Sequence, residues 1–476
     1  MKISLITFGK HGLGVRQISS CLKQKGYVVD FRFIPQGEAG SADISGFGSQ
    51  DIVGMSVITD HFPAARKLAA RIRERFGRGK PAIVFGGPHA TIMPRACLAH
   101  CDYAVKGEAE ETMLEICAKF PDIGALPGVC RMEGGEFVEN PPAPLVQDLD
   151  KYPVPDYEAY GDLENYNILA SRGCPYSCAY CYNNYLKKLY KGGGLYLRKR
   201  GIPGVLAELR KARESFPELK TVSFYDDTLL ARNADELVEL FGRYKAEIGL
   251  PFFCLASPGQ VTEEKLLILA RAGMERIQIG MQTGSEAVNF KIYKRPVPNS
   301  KVAECAELCR KHGIKVHFDI IFNNPYETVA DVAATLDFLL GLPLSRKMLN
   351  LQGFNLIFYP GTEITDSAVR DGYITEKKAG AEEEETIQGL TNTPLFFNSS
   401  LDNPLWDIHF SPGGKEHYNT LIALTPYLPK FLIRFLIKRE KTVSVLRAVL
   451  RALIRLVPRA LLRDDGIVKD FFRWLR

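Results

Sequence analysis

Two stretches of the chain alternate short β-rich runs with amphipathic helical ones, and this alternation constrains the fold more than any other feature. Between residues 1 and 120, ISLITF, YVVDFRF, DIVGMSVI, AIVFGG and DYAVKG read as strands. Helices are expected over 12–26 and along the stripe of Ala65, Leu68, Ala69 and Ile72. Such alternation builds a parallel, doubly wound sheet whose ligand sites lie at the C-terminal ends of the strands. Residues 121–165, with Pro127, Pro141, Pro142, Pro144, Pro153 and Pro155, read as a linker over the surface. Alternation then resumes with NILAS, TVSFYD, FFCLAS, RIQIGM, KVHFDIIF and LNLQGFNLIF. Six β–α units suit three-quarters of an eightfold α/β barrel, with its site at the C-terminal mouth. The expected organisation is a doubly wound domain over 1–140, a linker over 141–165, a (β/α)6 barrel over 166–373 and a mainly helical extension over 374–476.

A chain of 476 residues is too long for one core, and its 46% apolar and 24% charged residues are those of a globular protein. It has no run of about 18 apolar residues to span a bilayer. Its N-terminus reads as a first strand and not as a signal peptide, so the expected location is cytoplasmic. The net charge of +6 is uneven: residues 430–476 hold thirteen Lys/Arg against four Asp/Glu. The basic character therefore belongs to the tail, and no nucleic-acid surface is expected.

Three of the eleven cysteines, Cys174, Cys178 and Cys181, form a C-x3-C-x2-C loop directly after the first barrel strand. A structural zinc site takes four Cys/His ligands in paired arms, and no second arm follows. Three close thiolates suit an iron–sulfur cluster with one iron left open for a substrate or cofactor. The other eight cysteines read as small buried hydrophobes. Cys97/Cys101 and Cys305/Cys309 share helical i, i+4 spacing but have no partner pair for a metal. Two glycine turns also fall at strand ends, Gly9 to Gly14 and Gly86-Gly87-Pro88-His89; they are either ordinary tight turns or places where a ligand approaches the backbone. The first is not G-x-G-x-x-G with a following acid and does not fit a nicotinamide site.

The loop SRGCPYSCAYC, on the first strand of a partial barrel, resembles the radical SAM superfamily. The resemblance implies a [4Fe–4S] cluster on Cys174, Cys178 and Cys181, with S-adenosylmethionine (SAM) on the open iron and Tyr180 near its adenine. Further segments resemble the family's SAM contacts in order. They are Tyr225-Asp226-Asp227, then Gln282, Thr283, Ser285 and Glu286, then Asn324-Pro325, and last Tyr359-Pro360-Gly361-Thr362. Gln282 stands where Glu is usual, and Asn323-Asn324 where glycine is usual. Ahead of the barrel, Ser56 to Thr59, Gly86-Gly87-Pro88-His89 and Lys106-Gly107-Glu108 resemble the Rossmann-like cobalamin-binding domain of the B12-dependent branch. Gly12, Gly14, Ser56, Thr59, Gly86, Gly87, His89, Gly107 and Glu108 are the implied cobalamin contacts. The first turn, with His11, lacks the D-x-H-x-x-G of other cobalamin domains, which implies base-off binding without a histidine ligand.

The resemblance implies reductive cleavage of SAM to a 5′-deoxyadenosyl radical, hydrogen abstraction from an unactivated substrate carbon, and methyl transfer from methylcobalamin. Ring closure or rearrangement within the same branch, and a non-catalytic cobalamin- or redox-sensing role, stand as alternatives. A flavodoxin or ferredoxin is the implied electron donor. Tyr225, Cys254 and Asn355, at strand ends, are candidates for the substrate mouth of a small molecule. In the tail, Arg447, Arg451, Arg455, Arg459 and Arg463 recur every four residues opposite an apolar face, with Pro458 expected to break the helix. That stripe suits peripheral contact with the inner face of a membrane through 430–476, which would favour a lipid-like substrate, or a helix docked on the barrel or a partner.

Overall fold

The computed structural model describes residues 1–9, 12–157, 160, 163–376, 406–409 and 413–455. In the first domain, strands β1 (Lys2–Thr7), β2 (Val28–Phe33), β3 (Ile52–Ser56), β4 (Ala82–Gly86) and β5 (Tyr103–Val105) pair in parallel. Two antiparallel strands, β6 (Val129–Glu133) and β7 (Glu136–Glu139), complete the order β2-β1-β3-β4-β5-β6-β7. The chain reverses its winding between β1 and β3, so a crevice opens at their C-terminal ends. The β6–β7 hairpin lies in the stretch read above as linker. Its signal is Gly134-Gly135, both at positive φ, which a two-residue turn between twisted strands requires.

Side chains alternate across this sheet. Ile3, Leu5, Ile52 and Val84 face the helices Leu13–Gln24 and Glu110–Lys119, while Ile6, Val53, Ile83 and Phe85 face the helix Phe62–Phe76. The first of these cores runs on without a break into that of the second domain.

The rest of the proline-marked segment is tied down, in place of the expected surface linker. Arg16, on the first helix, donates from Nε to the Asp156 carbonyl at 3.1 Å, and Gln17 and Ser20 bond the carbonyls of Pro153 and Val154. The Arg16 guanidinium is buried over the rings of Tyr157 and Tyr166, and the Tyr166 hydroxyl donates to Glu208 of the barrel at 2.6 Å. A buried cation persists only when so surrounded.

The second domain holds six parallel strands in sequence order: β8 (Asn165–Ile168), β11 (Thr221–Phe224), β12 (Phe252–Ala256), β13 (Met274–Gln282), β14 (Lys315–Phe322) and β15 (Leu349–Asn355). A small antiparallel pair, β9 (Ser171–Arg172) with β10 (Arg198–Lys199), brackets the cysteine loop. The partial barrel expected from the sequence is therefore present. Helices Glu416–Leu424, Lys430–Leu436 and Glu440–Arg455 pack on its outer helical layer, with Leu421, Ile433 and Val443 in the shared core. Lys415 donates to the Asn324 carbonyl at 2.9 Å, Arg346 donates to the Tyr427 carbonyl at 3.0 Å, and Arg447 pairs with Glu416. Arg447 is thus committed to the fold. Pro458, Arg459 and Arg463 lie outside the described residues, as do the side chains of Arg451 and Arg455. No helix among the described residues is long and apolar enough to cross a membrane.

Candidate functional site

The cysteine loop leaves β8 at the barrel's C-terminal mouth. Gly173 (φ 93°) lets it pass close over the next segment, since a Cβ there would stand 2.3 Å from the Tyr196 carbonyl oxygen. Lys187 clamps the loop, donating to the carbonyls of Pro175 (2.8 Å) and Tyr176 (2.9 Å) and to the Ser177 hydroxyl (3.0 Å). Cys174, Cys178 and Cys181 are unpaired and half-buried. Burial pushes the Cys174 thiol up to about 11 and Cys181 up to about 12, and each is raised further by charge on its neighbouring cysteines and on Asp227. Burial also raises Cys178, against the opposing pull of Arg295. Thiols so placed give up their protons on binding metal. Among the described residues no three Cys, His, Asp or Glu side chains converge on a single ion, whereas a cubane needs one thiolate per iron. The three residues fit the cluster. The other eight cysteines are free and buried, as expected.

The segments expected to surround SAM divide into two groups. Tyr180 and Gln282 are half-buried at the mouth, Pro325 lies at its rim, and Tyr225 is 43% exposed, edge-on to Phe253. Gln282 has φ 71° at a bulge in β13, which turns its side chain back over Gly280. The other residues are framework. Asp226 is wholly buried, accepts from the Ser171 hydroxyl at 2.5 Å and the Ala170 N–H at 3.2 Å, and its carboxyl is pushed up to about 6 by burial. Thr283 shares a hydroxyl bond with Thr335, Ser285 donates to Asp331 at 2.6 Å, and Glu286 accepts from the Asn299 N–H at 2.8 Å. Asn324 is buried, its Oδ1 taken by the Tyr326 N–H and its carbonyl by Lys415. These five hold strand ends to neighbouring segments, with their polar atoms bonded inside the fold except the buried Asn324 Nδ2, which has no partner among the described residues.

Of the substrate-mouth candidates, Tyr225 and Asn355 stand at the mouth, Asn355 accepting from Asn323 at 2.7 Å. Cys254 does not: it is fully buried, 3.8 Å from the Met274 sulfur, because its neighbours Phe253 and Leu255 face inward. Inward-facing Asp319, pushed up to about 7 by burial, accepts from Gln278 at 2.8 Å, and Arg295 is buried beside Gly280. Local sequence carried no signal for either.

In the first domain a cavity of about 620 Å³ opens at the β1–β3 crevice. Gly12, Gly14, Ser56, Gly86, Gly87, Gly107 and Glu108 all line it, as the sequence implied. Its floor is apolar, formed by Leu5, Val84, Val105 and Met113. Gly87 and Gly107 have φ of 92° and 78°, and a Cβ on Gly107 would stand 1.9 Å from the Tyr190 hydroxyl. A glycine-lined, deep, mostly apolar slot fits a bulky cofactor with an extended arm.

Three implied cobalamin contacts differ. Thr59 and His89 are turned inward and bonded to each other (3.3 Å), with His89 wholly buried against Phe62. Glu108 reaches the cavity, but its carboxylate is held by Arg198 and by Arg172 at 2.9 Å. Burial alone would raise it; the two guanidiniums pull it below its ordinary value. His11 lies outside the described residues. The sequence reading missed His61, Tyr182 and Tyr190, which also line the cavity. Burial lowers the His61 imidazole to about 4, so it is uncharged near neutrality.

Comparison with known proteins agrees with this geometry. The model of the radical SAM superfamily matches residues 168–339, and that of the B12 binding domain matches residues 6–117. An uncharacterized methyltransferase of Pyrococcus horikoshii is 26% identical, over 68% of this chain and 70% of its own. The methyltransferase TsrM of Kitasatospora setae, with tryptophan and a SAM analog bound, superposes with TM-score 0.67 at 18% identity, over 90% of this chain and 89% of its own. The cobalamin-dependent radical enzyme OxsB gives TM-score 0.67 at 16% identity, over 99% of this chain and 75% of its own. The fold is shared with both structures. In one chain, then, a B12-binding domain is followed by a radical SAM domain.

Proposed function

We propose that the protein transfers a methyl group to an unactivated carbon of a small molecule. One observation carries this reading: the helix Tyr182–Leu189 begins at the last cluster cysteine, and Tyr182, Leu186 and Tyr190 on and just after it line the cavity of the first domain. One short element thus borders both cofactor sites, as a transfer between them requires. Cys174, Cys178 and Cys181 would hold the cluster. Tyr180, Tyr225, Gln282 and Pro325 would surround SAM, and Gly12, Gly14, Ser56, Gly86, Gly87 and Gly107 would cradle cobalamin. When bound, the cofactors supply a radical that removes hydrogen and a methyl group that replaces it. The chain's own residues hold the loop (Gly173, Lys187), fasten the strand ends (Asp226, Thr283, Ser285) and close the seam between the domains (Glu108, Arg172, Arg198).

The test supplies SAM bearing a deuterated methyl group to anaerobically reconstituted protein with a chemical reductant. Labelled methylcobalamin together with 5′-deoxyadenosine is the expected result. Deoxyadenosine without labelled methylcobalamin would favour ring closure or rearrangement, and neither product would leave a sensing role. A flavodoxin or ferredoxin is the natural electron donor in this reading.

Peripheral contact with an anionic membrane, and with it a lipid-like substrate, belongs to the same proposal. Phe431 is 73% exposed and Phe435 52%, one helical turn apart, with Arg434, Lys438 and Arg439 exposed around them. Apolar rings beside cations suit the interface of an anionic bilayer.

A further inference from the structure

We propose that His61 is the protein's own axial ligand to the cobalt of cobalamin. This rests on cobalamin occupying the cavity of the first domain. The first turn lacks the D-x-H-x-x-G pattern, and the sequence alone therefore implied no histidine ligand. The structure brings a histidine to the cavity from a different loop, the one after β3.

Three observations support it. First, His61 lines the cavity, and among the described residues neither ring nitrogen has a hydrogen-bond partner. A half-buried imidazole usually finds one, and here both nitrogens are uncommitted, with Nε2 on the side of Gly9. Second, its position is built. Phe8 meets the ring edge-on at 6.2 Å, and Gly9 makes room for it, since a Cβ there would lie 2.9 Å from the His61 Cε1. Third, the carboxylates around the cavity and the Tyr190 hydroxyl are already used. Glu108 and Glu110 are paired with Arg172, Glu208 with Arg200, and the Tyr190 hydroxyl accepts from the Glu108 N–H at 2.6 Å. His89 is no competitor, being wholly buried, bonded to Thr59 and absent from the lining. The neutral imidazole is also the form that ligates a metal.

The apolar floor of the cavity supports the same arrangement. An arm of the cofactor seated against Leu5, Val84 and Met113 is withdrawn from its own cobalt, which leaves a coordination position for a protein nitrogen.

The test is electron paramagnetic resonance of the full-length protein loaded with cobalamin and reduced to the cob(II)alamin state. An axial nitrogen splits each cobalt line into three. Protein grown with nitrogen-15 histidine would split each line into two if the nitrogen is histidine's, and into three if it is the cofactor's own base. The expected result is the two-fold pattern with labelled histidine, and unsplit lines in His61→Ala with cobalamin still retained. Unsplit lines in the wild type, a three-fold pattern in labelled protein, or a two-fold pattern surviving in His61→Ala would each overturn the proposal while leaving the cobalamin site intact. Protein that retains no cobalamin would overturn both. The labelled wild type alone can still overturn the proposal if His61→Ala fails to fold.

Discussion

Cys181 and Tyr182 are adjacent in the chain yet belong to different sites, Cys181 to the cysteine loop at the barrel mouth and Tyr182 to the wall of the first domain's cavity. The peptide between them is where the helix Tyr182–Leu189 starts. The two sites are consequently neighbours along the chain.

They should nonetheless load independently. Replacing Cys174, Cys178 and Cys181 together by alanine is expected to abolish iron and sulfide binding while leaving cobalamin retained after gel filtration, because none of the three lines the cavity. Loss of both cofactors would mean that the cluster loop holds the cavity open.

Gly107→Ala should be costly. It places a Cβ in a left-handed position and against the Tyr190 hydroxyl, with an expected destabilisation of about 2 kcal/mol. Adding Tyr190→Phe removes the clashing oxygen and should recover part of that loss in thermal melts. No recovery would assign the whole effect to backbone strain.

The buried carboxyl of Asp226 should leave a signature in the pH dependence of stability. Burial raises it from 3.8 to about 6, so the folded state holds its proton more tightly than the unfolded chain. Stability should therefore fall as pH rises from about 4 to about 6, by up to ~3 kcal/mol, and stay level above. In urea titrations of the iron-free protein, Asp226→Asn should lack this fall. Parallel curves for the two proteins would show that Asp226 titrates as it does in the unfolded chain.

Glu108→Ala removes the carboxylate shared by Arg172 and Arg198. The Arg198 side chain is only 3% exposed and would be left without its charge partner; the expected cost is about 3 kcal/mol. Chemical denaturation measures it. A change within a few tenths of a kcal/mol would mean that water replaces the carboxylate at the seam.

Phe431→Ser with Phe435→Ser should abolish flotation of the protein with anionic vesicles while leaving its melting temperature nearly unchanged, since both rings are exposed. Equal flotation of variant and wild type would remove the membrane from the proposed function.

The sequence by itself determined whatever depends on neighbours along the chain. Strand–helix periodicity was enough for both sheets, because burial of alternate or every-fourth residues is written locally. The three-cysteine loop was legible for the same reason, lying within one short stretch of chain. So were Gly87 and Gly107, glycines at strand ends. Only the tertiary structure decided which polar groups face the ligands. Asp226, Thr283, Ser285 and Glu286 sit in ligand-like segments but spend their hydrogen bonds on Ser171, Thr335, Asp331 and the Asn299 N–H, partners distant in sequence or on another element. Cys254 turned away with the pleat of its strand, and Gln282 turned inward at a bulge that no local pattern announces. His61 carried no motif at all. It became a candidate ligand because the loop after β3 packs against the turn after β1, two segments about fifty residues apart that a parallel crossover sets side by side.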